Sequence, residues 1–208
     1  MKTKLSALIL IAALLSQTLV SCGSTDGDTE TTDAVTTSTS GETTADTTEE
    51  TTETTAPAAD VSVTELADAV KEALGEEYLP NMAIDAEALE STYGVKPEWV
   101  EEFYAETPMI SFNPDLFIAV KATEGNVENV ETALNSYRDY LINDSLQYPA
   151  NIQKVNACQV YKNGDYVFLI MLAAVPQDLL DEADDQKIYD YCVESNQKAI
   201  DAIDALLG

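Results

Sequence analysis

From Val61 onward the apolar residues recur first at helical spacing, then in alternation, then at helical spacing again, and these switches mark the elements. Ser62-Val63-Thr64-Glu65 has the form of a capping box. Behind it Leu66, Ala69, Val70, Ala73 and Leu74 predict one helix face, ended at Gly75. Tyr78 to Met82, with Pro80, reads as a connection. Asp85 predicts the cap of a short helix running through Leu89 towards Tyr93 and stopped by Gly94. Pro97 suits the first turn of another short helix carrying Trp99, Val100, Phe103 and Tyr104, ending before Pro108. Met109 to Phe112 is short, apolar and bounded by Pro108 and Pro114, which predicts an edge strand.

Leu116 to Thr123 alternates, with Leu116, Ile118, Val120 and Ala122 on one face and Phe117, Ala119 and Lys121 on the other. Gly125-Asn126 turns the chain into the clearest helix, where Val127, Val130, Leu134, Tyr137 and Leu141 form one stripe up to Tyr148-Pro149. Ala157–Lys162 and Asp165–Leu172 flank Asn163-Gly164, a strong hairpin signal. The second of these strands is apolar on both faces, so it belongs inside a sheet covered on both sides. From about Asp184 a final helix carries Ile188, Tyr191, Cys192, Ala199, Ile200, Ile203, Leu206 and Leu207. After the N-terminal helices the order is β-β-α-β-β-α. It predicts one α+β domain over 61–208, with a small antiparallel or mixed sheet of three to four strands. The helices around 127–146 and 185–207 are expected on its main face, and the N-terminal helices on the other.

The segment before this domain has a different character. Lys2 and Lys4 precede an uncharged apolar run, Leu5 to Leu15, and then Leu19-Val20-Ser21-Cys22. A positive start, a greasy core and a small residue at the scissile bond are what signal-peptide processing needs. The cysteine directly after the small residue gives the stretch the look of a bacterial lipobox. We therefore expect a signal peptide at 1–21 and lipid attachment at Cys22, with the protein held on the extracytoplasmic face of a cell membrane. Diacylglycerol supplies the two acyl chains that stable anchoring takes. Residues 22–60 are rich in Thr and acids, with no basic or aromatic residue, and read as a disordered linker about 35 Å from end to end as an unperturbed coil.

The formal net charge is −28, and removal of Lys2 and Lys4 with the signal makes it more negative. Such a chain repels phosphate backbones, so no nucleic-acid partner is expected. There is no histidine, which removes the usual general base, the Ser-His and Cys-His nucleophile pairs and the commonest transition-metal ligand. Besides Cys22 only Cys158 and Cys192 remain. Cys158 shares a face with Val160 and Cys192 lies on the stripe of the last helix, so the two could meet in a disulfide. The alternative is two small buried hydrophobes. Acids are plentiful, yet no phosphate loop, nucleophile elbow or metalloprotease motif occurs, and no catalytic residue, cofactor or metal ligand is assigned. The run Asp181-Glu182-Ala183-Asp184-Asp185 suits a solvated loop and helix start better than a cation site. Trp99, Phe103, Tyr104 and Met109 would line a carbohydrate or peptide groove if exposed, but their spacing is ordinary core packing.

Tyr93-Gly94-Val95-Lys96-Pro97-Glu98, Val100-Glu101-Glu102, Thr107-Pro108-Met109-Ile110, Ala119-Val120-Lys121-Ala122 and Asn163-Gly164-Asp165-Tyr166-Val167 together resemble domain of unknown function 4358. That family occurs on lipoproteins of anaerobic Gram-positive bacteria, and the likeness spans roughly residues 61–175. The resemblance implies a lipobox, an acidic linker and one small domain, and it brings no activity. The leading expectation is a non-enzymatic binding domain for a protein, peptide or envelope partner. The alternatives are a carboxylate-dependent hydrolase, which needs two convergent acids in a pocket, and a structural or assembly factor, which needs an exposed apolar patch or sheet edge.

Overall fold

A computed structural model describes residues 60–208. The expected signal peptide, Cys22 and all but the last residue of the expected 22–60 linker lie outside the described residues. Val63–Leu74 forms α1, and its capping box is present: Glu65 N donates to Ser62 Oγ at 3.2 Å, and Ser62 N donates to Glu65 Oε2 at 3.0 Å. The chain continues through β1 (Met82–Ala83), α2 (Ala86–Tyr93), β2 (Val100–Thr107), β3 (Leu116–Ala122) and α3 (Val127–Asn143). It closes with α4 (Ile152–Asn156), β4 (Gln159–Asn163), β5 (Tyr166–Met171), α5 (Gln177–Glu182) and α6 (Asp185–Leu207). The five strands form one sheet in the order β1-β2-β3-β5-β4 with every neighbouring pair antiparallel, so the fold is α+β. The expected three to four strands become five: Met109–Phe112 is not a strand, while β2, where a helix was expected, and β1, two residues long and too short to show a period, are added.

The alternation in β3 and the two-sided β5 have a direct consequence. Leu116, Ile118 and Val120 with Val167, Leu169 and Met171 meet α2 and α3 on one face. Phe117 and Ala119 with Phe168, Ile170 and Leu172 meet α1 and α6 on the other. Both sets are buried, giving three layers. The expectation that α3 and α6 share a face is therefore corrected. With both faces of β5 apolar, one long helix is needed on each, and α1 fills the space beside α6.

Three local expectations also change. The helix expected after Pro97 is a 3-10 turn (Pro97–Trp99) leading into β2. A register shift between Val100 and Glu102 inserts one extra residue, so Val100 and Phe103 pack on the same face, imitating helical spacing. Met109–Phe112 is a loop, since β1 already occupies the edge beyond β2. The hairpin turn is Gly164-Asp165, one residue later than expected, because Asn163 still pairs with Tyr166; Gly164 supplies the positive φ of 57°.

Candidate binding site at the loop end of the sheet

The loops 108–115, between β2 and β3, and 144–151, between α3 and α4, emerge at the same end of the sheet. Asn151 Nδ2 ties them by donating to the Phe112 carbonyl at 2.6 Å. Asparagines also fix the first loop from within. Asn81 Oδ1 accepts from Met109 N at 3.0 Å, and Asn113 Oδ1 accepts from Asp115 N at 3.1 Å. Held this way, the loops present apolar side chains to solvent: Met109 is 73% exposed, Phe112 63% and Tyr148 66%, and Leu146 is fully exposed. Ile110 and Ile152 extend the patch.

Beneath the patch is a cavity of about 640 Å³ lined by Leu79, Phe112, Tyr148, Val175 and Leu180, with Lys154 on its wall. Lys154 is carried by α4 and is almost completely buried, as is Asp115, with which it forms an ion pair. Its ammonium also donates to Asn113 Oδ1 at 3.1 Å. A lysine has three N–H donors, and the third has no acceptor among the described residues. Asp115 Oδ2 makes no hydrogen bond of good geometry, although the Ala173 amide lies close enough to favour its charge. Burial outweighs Lys154 and that amide and pushes the Asp115 carboxyl above its ordinary range. The site therefore combines an apolar mouth, a shaped cavity and one buried polar anchor.

The residues singled out from sequence are dispersed. Cys158 and Cys192 are free thiols, both buried, in separate clusters: Cys158 packs with the α2/α3 face, Cys192 with Ala157, Ala173 and Ile188. Phe103 faces the core, Tyr104 lies on the opposite face against Lys71, Trp99 borders a groove beside α3, and only Met109 belongs to the loop end. In the acidic run, Asp184 caps α6 and Glu182 pairs with Lys187 at 2.6 Å. A smaller cavity at the opposite end of the sheet has Asp60, Glu101 and Asp165 in its lining. Lys121 sits between the first two at 2.7 Å from each, and they hold its ammonium well above its ordinary value.

Sequence reasoning missed Asp115, Lys154, Asn113 and Asn151. The available signal was a lysine on a helix too short to show a period, and Asn113-Pro114-Asp115 between two apolar runs.

Residues 73–172 match the model of the family Domain of unknown function (DUF4358). This part of the chain belongs to that family. The DUF4358 segment spans all five strands with α2, α3 and α4, and it includes Phe112, Asp115 and Lys154. Most of α1 and all of α5 and α6 fall outside it, so one face of the sheet is covered by elements beyond the match. No curated protein and no solved structure matches the chain.

Proposed function

We propose that this DUF4358 protein is a lipid-anchored, extracytoplasmic, non-enzymatic binding domain that takes an apolar segment of a protein, peptide or envelope partner at its loop end. One observation carries the reading: the exposed Met109, Phe112, Leu146 and Tyr148 over a cavity walled by Lys154, in a chain of formal charge −28. Exposed apolar patches of this kind mark interaction sites. The cavity size suits a small ligand or a few inserted side chains.

The anchor reading rests on the lipobox ending at Cys22. The path of the chain is consistent with it. Asp60 pairs with Lys121, beside Glu101 and Asp165, at the end of the sheet opposite the loops. The length of β3 separates the two ends, about 20 Å at the rise of a strand. The first described residue, Asp60, thus lies at the end of the domain away from the loops. Carboxylate hydrolysis is less well supported: Asp115, the acid whose carboxyl is raised among the described residues, faces Lys154 instead of a second acid.

The test is a photo-crosslinking amino acid placed at Phe112, at Tyr148 or, as a control, at Asp165, on intact cells. The reading expects a discrete crosslinked partner from the first two positions and none from the third. Equal crosslinking from both ends, or none at the loop end, overturns it. Retention of Cys22→Ser in the membrane fraction would overturn the anchor.

A further inference from the structure

A second groove lies away from the loop end, between the C-terminal end of α2 and the outer face of α3. We propose that it binds a neutral oligosaccharide. The groove has a volume of about 640 Å³, and its aromatic lining is Tyr93, Trp99, Tyr137 and Tyr140. Asn129, Thr132 and Ser136 provide the polar groups.

The local sequence builds this surface. Gly94 ends α2 in the left-handed conformation at φ 74°. The turn begun by Pro97 then sets Trp99 in place: its N–H donates to Lys96 O at 3.0 Å, and its carbonyl accepts from Thr123 N at 2.9 Å. Tyr93 and Tyr137 stand edge to face with centroids 4.6 Å apart, and Tyr140 follows Tyr137 at 6.5 Å. On α3, Asn129, Thr132, Ser136 and Tyr140 recur at steps of three and four and so form one stripe.

Charge separation identifies the ligand class. The helix is rich in ions, yet they are drawn elsewhere: Glu128 and Glu131 pair with Lys162 at 2.8 and 2.6 Å, and Asp139 pairs with Arg138 at 3.0 Å. Lys96 is the exception: its ammonium lies over the indole of Trp99, a lining residue, 5.1 Å from the ring centroid. The lining itself contains no ionised side chain. A cationic ligand would find no carboxylate in it, and the field of a strongly acidic chain opposes an anionic one. Uncharged sugar rings suit what remains. Their C–H faces stack on aromatic rings, and their hydroxyls exchange hydrogen bonds with amide and hydroxyl side chains. An open groove, unlike a closed cavity, accommodates an internal stretch of a sugar chain.

Trp99 is the sole tryptophan, so its emission reports directly on the groove. The experiment titrates the chain, with Cys22→Ser and without residues 1–21, with chitotetraose, cellotetraose and maltotetraose, and with tetragalacturonate as an acidic control. We expect a saturable change in emission with at least one neutral tetrasaccharide and none with the acidic one. Tyr140→Ala should weaken binding about tenfold, the equivalent of one lost aromatic contact. Tyr140 is exposed, so its variant should fold, which circular dichroism checks. Phe112→Ser should bind sugar like the parent, separating this groove from the loop end. No saturable response to any neutral tetrasaccharide, equal binding by Tyr140→Ala, or equal binding of tetragalacturonate overturns the proposal.

Discussion

Lys154 and Asp115, 39 positions apart in the chain, form a buried ion pair beneath the apolar loop end. Removing one partner leaves the other charge stranded away from water. Lys154→Met should therefore cost about 3–5 kcal/mol, whereas replacing both residues by apolar ones of similar volume is often neutral. The double variant Lys154→Met/Asp115→Leu should recover most of the loss in urea denaturation. Equal losses in single and double variants would mean that the pair contributes little and that packing around it dominates.

The same carboxyl sets a pH dependence. Burial raises Asp115 above its ordinary 3.8. Its contribution to stability is complete below that value and is lost as pH rises through the folded-state value. Relative to Asp115→Asn, the wild type should thus be most favoured in acid and lose ground towards neutrality. Glu65 behaves oppositely. Its hydrogen bonds with Ser62 lower its carboxyl below 4.5, so its contribution is present above that value and is lost as pH falls. Ser62→Ala should remove that acid-side loss, along with about 1 kcal/mol of capping. Melting temperatures of the three proteins from pH 3 to pH 7 check both slopes.

At the loop end, stability and function should separate. Phe112 and Tyr148 are largely exposed, and surface substitutions away from packed features usually change stability by no more than about 0.5 kcal/mol. The double variant Phe112→Ser/Tyr148→Ser should melt close to the wild type while losing the crosslinked partner. A large drop in melting temperature would show that the two rings support the loops instead of offering a surface.

The sequence disclosed what depends on period and local chemistry. The capping box at Ser62, the stripe on α3, the two faces of β3 and the doubly apolar β5 all follow from short-range pattern, and each survives in the structure. It misled where one residue altered the period. The bulge near Glu101 made Val100 and Phe103 share a face three positions apart, which reads as helix. It was silent where long-range contacts decide. Met109–Phe112 has the composition of a strand, but pairing requires a free edge, and β1 occupies it. The Lys154–Asp115 pair joins elements far apart in the chain, so neither residue stands out among so many acids. Asp60 and the loop end likewise became opposites only once β3 ran between them.

Cys158 and Cys192 permit one further test, of the two readings the sequence left open. In the structure both thiols are free and buried, and burial pushes Cys158 up to about 12 and Cys192 to about 11. The thiolate is the reactive form, so each should be inert in the native protein at pH 8. With Cys22 replaced by Ser, native protein treated with a thiol reagent should show negligible labelling over the time in which urea-unfolded protein, without reductant, labels both positions. An oxidised bridge gives a different pattern, with no labelling in urea until reductant is added. Rapid labelling of the native protein at Cys192 alone would instead show that the small cluster around Ala157, Ala173 and Ile188 opens locally, well below the cost of global unfolding.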